Sequence, residues 1–214
     1  MASQETIKRD EPFTQRQQAV LDCALNLLVA GGEKALTTAA IAREAGCSKE
    51  SLYKWFGDRD GLLAAIVEHQ ASKVRAPDAL DGPFSKQTLI QELQHFAENL
   101  IEVISSDISL ALNRLAIGQA SRGDVALGRT LLHKGRGRIG AQTTRLLSAA
   151  MQQGHLETAP AKEAYHVLYG LVLKDTHVRL LLGDELTAAE QDTATVARKA
   201  VSDFMKLYGA TTED

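Results

Sequence analysis

The segment from residue 37 to residue 56 constrains the fold more strongly than any other part of the chain. It reads TTAAIAREAGCSKESLYKWF, in which a short helical pattern leads to Gly46, a residue that can take the positive φ of a sharp stop. Ser48 is then placed to cap a second helix by accepting a bond from a free backbone N–H. Leu52 and Phe56 lie four residues apart on that helix and face the core. The pattern predicts a helix-turn-helix, a motif that places its second helix in the major groove of DNA.

The flanking residues extend this pattern in both directions. It begins at Arg16 with RQQAVLDCALNLL, passes through Gly31 and Gly32, and ends at Leu63 with SLYKWFGDRDGLL. In order and spacing the stretch resembles the DNA-binding domain of the TetR family of bacterial repressors. The resemblance implies an all-α protein with an N-terminal three-helix helix-turn-helix DNA-binding domain. A C-terminal helical domain for ligand binding and dimerisation would follow it.

The resemblance also assigns residues to the DNA. At the start of the second helix, Lys49 can donate to guanine O6 and N7, and Glu50 can accept from cytosine N4. Hydroxyl groups, helix-start N–H groups and basic side chains around them would bind phosphates. The residues expected at the DNA are Thr37, Thr38, Ser48, Lys49, Glu50, Ser51, Tyr53, Lys54 and Arg59.

Three residues depart from the usual family pattern. Lys54 and Trp55 stand where the family often has Tyr and His, and Cys47 stands where Val or Ile is usual. Lys54 keeps a phosphate donor at its position. The departures therefore affect which DNA sequence is bound more than whether DNA is bound. Trp55 can contact the DNA backbone through its indole N–H or pack beside Phe56. Cys47 can be a buried structural residue or a redox switch.

The charge of the chain gives no support of its own to nucleic-acid binding. There are 24 Lys and Arg residues against 27 Asp and Glu residues, a formal net charge of −3. A few positioned donors matter more than bulk charge, and Lys49, Lys54 and Arg59 cluster around the second helix. This balance of basic and acidic residues is also compatible with a different class of protein. That alternative is a helical module that binds a small molecule or a partner and has lost DNA binding.

Composition argues against several other classes. Four prolines and 5% aromatic residues accompany long helical patterns, and no apolar run reaches membrane-spanning length. The polar start of the chain lacks the features of a signal peptide, and two cysteines fit a reduced, cytoplasmic setting. The six histidines have no metal-site spacing, and neither a P-loop nor a nucleophile elbow occurs. We therefore expect no enzyme activity, no metal and no cofactor.

Helical periodicity divides the chain into segments. Residues 1–11 are expected to form a disordered arm, and residues 12–60 the helix-turn-helix domain. A connecting helix over 58–75 leads to the C-terminal domain, residues 76–214. That domain opens with a linker over 76–87, where proline and glycine break the helical pattern.

Further helices are predicted within the C-terminal domain. They cover about 88–105 and 107–121, with one or two more between 125 and 153. The segment 161–182 is the most apolar and is expected to be buried on two sides. A last helix is expected over about 187–208.

The last two helices either close a protomer core or pair with their copies across a two-fold axis. The TetR resemblance implies the second arrangement, a homodimer that reads two half-sites of a palindromic operator. The residues expected at the dimer interface are Val167, Leu168, Leu171, Val178, Val201, Phe204 and Tyr208.

A small-molecule effector is the remaining partner that the resemblance implies. It would enter a pocket among the middle helices and shift the two DNA-binding domains, provided that it binds one conformation better. The segment from Tyr169 to Gly183 resembles the AefR-like subgroup. A repressor is expected, and an activator is equally compatible with the sequence. The residues expected to line the pocket are His95, Phe96, Asn99, Asn113, Arg114, Gln119 and His133.

Overall fold

The computed structural model describes residues 12–77 and 82–210, so the predicted arm over 1–11 lies outside the described residues. The described chain is helical, with one isolated bridge between Leu156 and Gly209 and no strand, which confirms the all-α prediction. The elements are α1 (Gln15–Ala35), α2 (Thr38–Glu44), α3 (Lys49–Phe56), α4 (Arg59–Ser72), α5 (Lys86–Ser105), α6 (Asp107–Ser121), α7 (Ala126–Thr130), a π-helical segment (Leu131–Gly137), α8 (Arg138–Gln152), α9 (Ala161–Leu173), α10 (Thr176–Leu181), α11 (Ala188–Gln191) and α12 (Thr193–Tyr208).

Polar caps fix where the short N-terminal helices begin. The Thr37 hydroxyl accepts from the Ala40 N–H at 3.1 Å, and the Ser48 hydroxyl accepts from the Ser51 N–H at 3.1 Å. Between these two caps Gly46 has a φ of 59°, which permits the tight turn. These local bonds satisfy N–H groups that the helices leave free, so the helix-turn-helix is specified by neighbouring residues.

Helices α1 to α4 form what we call the head, and they share an apolar core. Leu21, Leu25, Ile41, Leu52 and Ile66 are fully or almost fully buried there. The same core also contains residues from two helices that the sequence assigns to the C-terminal domain, namely Leu112, Leu115 and Ala116 of α6 and Leu127 of α7. The head is therefore packed directly onto the rest of the chain.

The remaining helices form what we call the body, with a second core. Helix α12 packs against α5 and α9, and α8 packs against α9. Gly140 of α8 lies so close to α9 that a Cβ there would come within 2.8 Å of the Tyr165 ring. A glycine at this position lets the two helices approach each other closely.

The body core corrects part of the predicted dimer interface. Leu168, Val201 and Phe204 have no solvent exposure in the single protomer, so their apolar side chains already belong to its core. They offer no surface to a partner. The predicted interface residues that keep some exposure are Val167, Leu171, Val178 and Tyr208.

Two predicted helices are interrupted in the structure. The segment 161–182 breaks after Leu173, where Lys174 takes a φ of 47° although it is not a glycine. The last helix breaks at Asp192, whose carboxylate accepts from the Thr195 N–H at 3.1 Å and caps α12. Among the described helices, none combines the length and the apolar character that a bilayer crossing needs.

Candidate nucleic-acid interface and central cavity

Helix α3 buries one face and exposes the other. Leu52 and Phe56 are 2% and 9% exposed, whereas Tyr53 is 51% exposed. Lys49 and Lys54 are exposed as well. The apolar residues hold the helix on the head, which leaves its basic and aromatic side chains free to contact another molecule.

A groove beside α3 brings together predicted DNA-contacting residues from three elements. Thr37 and Thr38 at the start of α2, Tyr53 on α3 and Arg59 on α4 all line this groove, whose volume is about 390 Å³. Hydroxyl groups, a phenol, a guanidinium and a helix N-terminus are the groups that bind phosphate oxygens. Apolar side chains and the Glu33 carboxylate line the groove as well, so it combines phosphate-binding groups with one negative charge.

The N-terminus of α3 orients its own polar residues. The hydroxyl groups of Ser48 and Ser51 lie 3.1 Å apart, and Ser48 also caps the helix. Hydrogen bonds from its own backbone N–H and from Ser48 lower the pKa of the exposed Glu50 carboxyl. Glu50 is therefore ionised at neutral pH and able to accept a hydrogen bond from a base edge.

Arg16 fixes the turn between α2 and α3, a role that the sequence did not indicate. Its guanidinium donates to the carbonyl oxygens of Ala45 at 2.8 Å and Gly46 at 2.9 Å. An arginine 29 and 30 residues away from its partners in sequence gives no local signal of this contact. It ties α1 to the turn that sets the direction of α3.

The residues that depart from the family pattern pack on the head. Trp55 meets the Phe56 ring edge to face, with centroids 6.2 Å apart, and is half-buried against the core. Cys47 packs against the same core. On α1, burial raises the pKa of the Cys23 thiol, which disfavours the reactive thiolate. These contacts favour structural roles for Trp55 and both cysteines.

A cluster at the end of α1 joins the head to α6, and we call it the Glu33 junction. The Glu33 carboxylate accepts from Gln119 at 3.0 Å and from Arg122 at 2.9 Å, and it lies 3.9 Å from Arg59. The hydrogen bond from Gln119, followed by the charge of Arg122, lowers the pKa of Glu33. Arg59 therefore has two alternative partners, the Glu33 carboxylate and the DNA phosphate that it is predicted to bind.

A second site lies between the head and the body, and we call it the central cavity. Its volume is about 210 Å³, and residues of α4, α5, α6, the π-helical segment and α8 to α10 line it. Most of the wall is aliphatic, including Val67, Leu100, Ile104, Leu112 and Ile139. The polar or aromatic groups along it are Gln70, Ser109, Asn113, Arg136, Tyr169 and His177.

Two polar atoms of the cavity wall are buried without a partner. Gln70 is 6% exposed and donates through Nε2 to the Ser109 hydroxyl at 3.0 Å, but its Oε1 has no hydrogen bond within the described chain. The same is true of Nε2 of His177. Burial lowers the pKa of His177, so its imidazole is neutral at pH 7. Buried polar atoms are normally paired, so these two atoms call for a partner that the described chain does not supply.

A single cation stands on the wall of the same cavity. The Arg136 guanidinium lies over the ring of Tyr169, 4.3 Å from its centroid, in a cation–π contact. Burial raises the pKa of Tyr169, and it raises that of the neighbouring Tyr165 to about 12, against the opposing effect of Arg136. Both phenols are therefore neutral, and they leave the arginine charge uncompensated.

The structure distributes the predicted pocket residues over several places, and Asn113 is the one that lines the central cavity. His95, Phe96 and Asn99 line a separate surface groove with Arg75, since they lie on another face of α5. His133 is exposed on the π-helical segment.

The last two predicted pocket residues have partners elsewhere. Arg114 donates to the carbonyl oxygens of Leu180 and Leu181 and caps α10, while Gln119 belongs to the Glu33 junction. Sequence reasoning missed Gln70, Arg136, Tyr169 and His177. The only signal for them was the AefR-like segment, which contains Tyr169 and His177.

A helix-turn-helix with an exposed polar face, joined to a helical body, defines a DNA-binding transcriptional regulator. Comparison with known families agrees. Residues 20–66 match the model of bacterial regulatory proteins of the tetR family, and residues 91–210 match the AefR-like transcriptional repressor, C-terminal domain. The chain belongs to the TetR family, whose members are transcriptional regulators and not enzymes.

Solved structures show the same relationship over most of the chain. A TetR transcriptional regulator from Agrobacterium tumefaciens is 52% identical, with 92% of this chain and 96% of that one covered and a TM-score of 0.81. A TetR-family regulator from Mesorhizobium loti is 25% identical, with 92% and 100% covered and a TM-score of 0.75. The HTH-type transcriptional regulator YvkB of Bacillus subtilis is 30% identical over 83 residues, which span 36% of this chain and 44% of that protein. The chain thus matches less than half the length of this curated relative.

Proposed function

We propose that the protein is a cytoplasmic, ligand-responsive repressor. It binds a palindromic DNA operator as a homodimer and releases it when a small-molecule effector fills the central cavity. The single observation that carries this proposal is the position of α4. One part of this helix packs in the head core through Leu63 and Ile66, and the next turns line the central cavity through Val67 and Gln70.

Helix α4 offers a direct route from cavity to DNA. Its first turn carries Arg59, which lines the groove beside α3. A ligand that fits the cavity better in one position of α4 would shift the population of head orientations, and hence the spacing of two heads in a dimer. Release of DNA requires only that the ligand favours the orientation that does not match the operator half-sites.

Two arguments support a homodimer. Helix-turn-helix proteins read palindromes as dimers, and the last helices keep exposed apolar surface. A single head makes few contacts, whereas two heads read half-sites about 34–36 Å apart or at multiples of that spacing. We assign the partner contact to α9, α10 and α12, through the exposed portions of Val167, Leu171, Val178 and Tyr208.

Selection from a random duplex library, followed by sequencing, tests the DNA-binding part. We expect an enriched inverted repeat, and we expect Tyr53→Ala to lower affinity for it with no loss of folding, since Tyr53 is largely exposed. Gln91→Ala, an exposed change on α5 in the body, is the matched control and should bind like the unmodified protein.

Two results would favour other functions. A folded, ligand-free dimer that enriches no sequence even at low salt would favour the binding module that has lost DNA recognition. An enriched site upstream of a promoter whose output rises with the protein would favour an activator. Release of the repeat by an effector, with repression of a reporter, supports the repressor.

A further inference from the structure

The central cavity has unmet hydrogen-bonding capacity at its buried side. Gln70 spends its Nε2 donor on Ser109, so its free Oε1 can only accept. The neutral His177 ring offers an unpaired Nε2, which donates in one tautomer. A hydroxyl group can serve either atom once a side-chain rotation turns that atom toward the cavity, because it can donate to Gln70 and accept from His177.

The cavity also has one uncompensated positive charge. Among the described residues that line it, Arg136 is the one formally charged group, and no carboxylate lies beside it. The described chain provides no ion pair for Arg136, whereas Arg122 binds Glu33 and Arg179 binds both Asp184 and Glu190. Arg136 is more exposed than Gln70, so the charge lies toward solvent and the free acceptor lies inside.

Size and wall chemistry limit the body of a ligand. An apolar cavity of about 150 Å³ holds benzene, so the 210 Å³ here suits one ring with a few added atoms. The wall is largely Val, Leu and Ile, with the Tyr169 ring under Arg136. An apolar body such as one ring fits this wall better than a polar one such as a sugar.

We propose that the effector is a small hydroxylated aromatic acid. Its ring fills the aliphatic part of the cavity, its carboxylate binds Arg136, and its ring hydroxyl reaches Gln70 and His177. Calling this ligand an effector rests on the proposed function, whereas its binding to the cavity can be tested without DNA. The chemistry excludes amines, which would bring a second positive charge to Arg136.

A matched set of four compounds isolates each group of the ligand. The parent probe is para-hydroxyphenylpropanoate. Its methyl ester removes the charge, phenylpropanoate removes the hydroxyl, and tyramine replaces the acid with an amine. Calorimetric titration of the purified full-length protein should rank the parent first, with the ester weaker by about tenfold and phenylpropanoate weaker by about fivefold. Tyramine should not bind.

Two substitutions connect those differences to the residues. Arg136→Met keeps the stem length and removes the charge, so the acid should lose about tenfold and the ester should be unaffected. Arg136→Lys should restore most of the preference for the acid. Gln70→Leu should lower affinity for the parent and leave phenylpropanoate unchanged. Circular dichroism verifies that each variant is folded, and Arg136, being exposed, keeps the test valid if Gln70→Leu fails to fold.

Several outcomes would overturn the assignment. Equal binding of acid and ester, tighter binding of tyramine, or no binding of any probe at millimolar concentration by folded protein would each exclude a hydroxylated aromatic acid. Operator binding is measured on the same samples. If the operator is bound but no probe is, the ligand class alone is wrong. If the parent binds with the expected ranking and the protein binds no operator, the ligand class stands and the repressor function fails.

Discussion

The DNA-facing surface predicted on the head and the central cavity use their polar side chains in opposite ways. In the head, polar residues close to one another in sequence cap helices and leave an exposed face, as Ser48 and Tyr53 do on α3. At the central cavity, Gln70 of α4 and His177 of α10 come from distant helices, and each keeps one buried atom unpaired in the wall. Under the proposed function, this difference fits a head that is formed before it meets DNA and a cavity wall that a ligand completes.

The largest expected effect is on stability, and it distinguishes a buried position of the body from an exposed one. Phe204→Ala should reduce the free energy of unfolding by about 3–5 kcal/mol, because it removes a fully buried ring. Leu207→Ala, three residues later and 63% exposed in the protomer, should change it by no more than about 0.5 kcal/mol, because this side chain lies largely outside the body core. Urea unfolding at matched protein concentration measures both.

The same pair of variants tests the correction of the dimer interface. Sedimentation should show that the Phe204→Ala protein, while it remains folded, keeps the association constant of the original. A weakened dimer with an unchanged unfolding free energy would instead place Phe204 between protomers, as the sequence alone suggested.

Operator contacts in the head should divide into two kinds. Lys49→Ala should cost about 1–3 kcal/mol on the selected operator and relax the preference at one base position. Lys54→Ala should weaken all sequences alike and reduce the slope of log affinity against log salt by about 0.9. Both side chains are exposed, so unfolding should not change.

Fluorescence anisotropy with the operator and with a scrambled duplex, over a range of salt, measures these effects. If Lys49→Ala lowered affinity for both duplexes equally, Lys49 would be a phosphate contact. If Lys54→Ala changed the preferred sequence, Lys54 would be the base contact, and α3 would lie in the groove with a different rotation.

A smaller effect is expected at the cap that preorganises α3. Ser48→Ala removes the acceptor for the Ser51 N–H and should destabilise the protein by about 1 kcal/mol. Ser48→Gly should cost only a few tenths of that, because glycine caps helices better than alanine. Thermal unfolding compares the two, and an unchanged stability of Ser48→Ala would show that the Ser48 hydroxyl does not contribute to the cap.

The contrast between head and body also explains what the sequence could predict. Several features of the head depend on partners within a few residues, so the local sequence is enough to predict them. They are the caps at Thr37, Ser48 and Asp58 and the turn at Gly46. An apolar stripe with Phe204 on α12 predicted burial correctly but could not say against which surface.

Residues of the central cavity had no such local pattern. Gln70 meets Ser109 across 39 positions, and nothing near Gln70 in sequence distinguishes it from a solvated glutamine. The break at Lys174 is equally invisible, because a lysine with positive φ contradicts the local backbone preference. Sites made by tertiary packing therefore require the structure.

The Glu33 junction, where head and body meet, should show a small effect on stability that depends on pH. Glu33→Gln weakens an exposed ion pair with Arg122, so the loss should not exceed about 1 kcal/mol at neutral pH. The pKa of Glu33 is lowered in the folded protein, so its contribution is present above its ordinary value of 4.5 and is lost as the pH falls through the folded value. The difference between original and variant in urea unfolding should accordingly shrink from pH 7 to below pH 4.

A difference that stayed constant over that range would mean that Glu33 acts through shape and not through charge. In that case the junction would fix the head by packing alone, and Arg59 would be free for the phosphate at every pH.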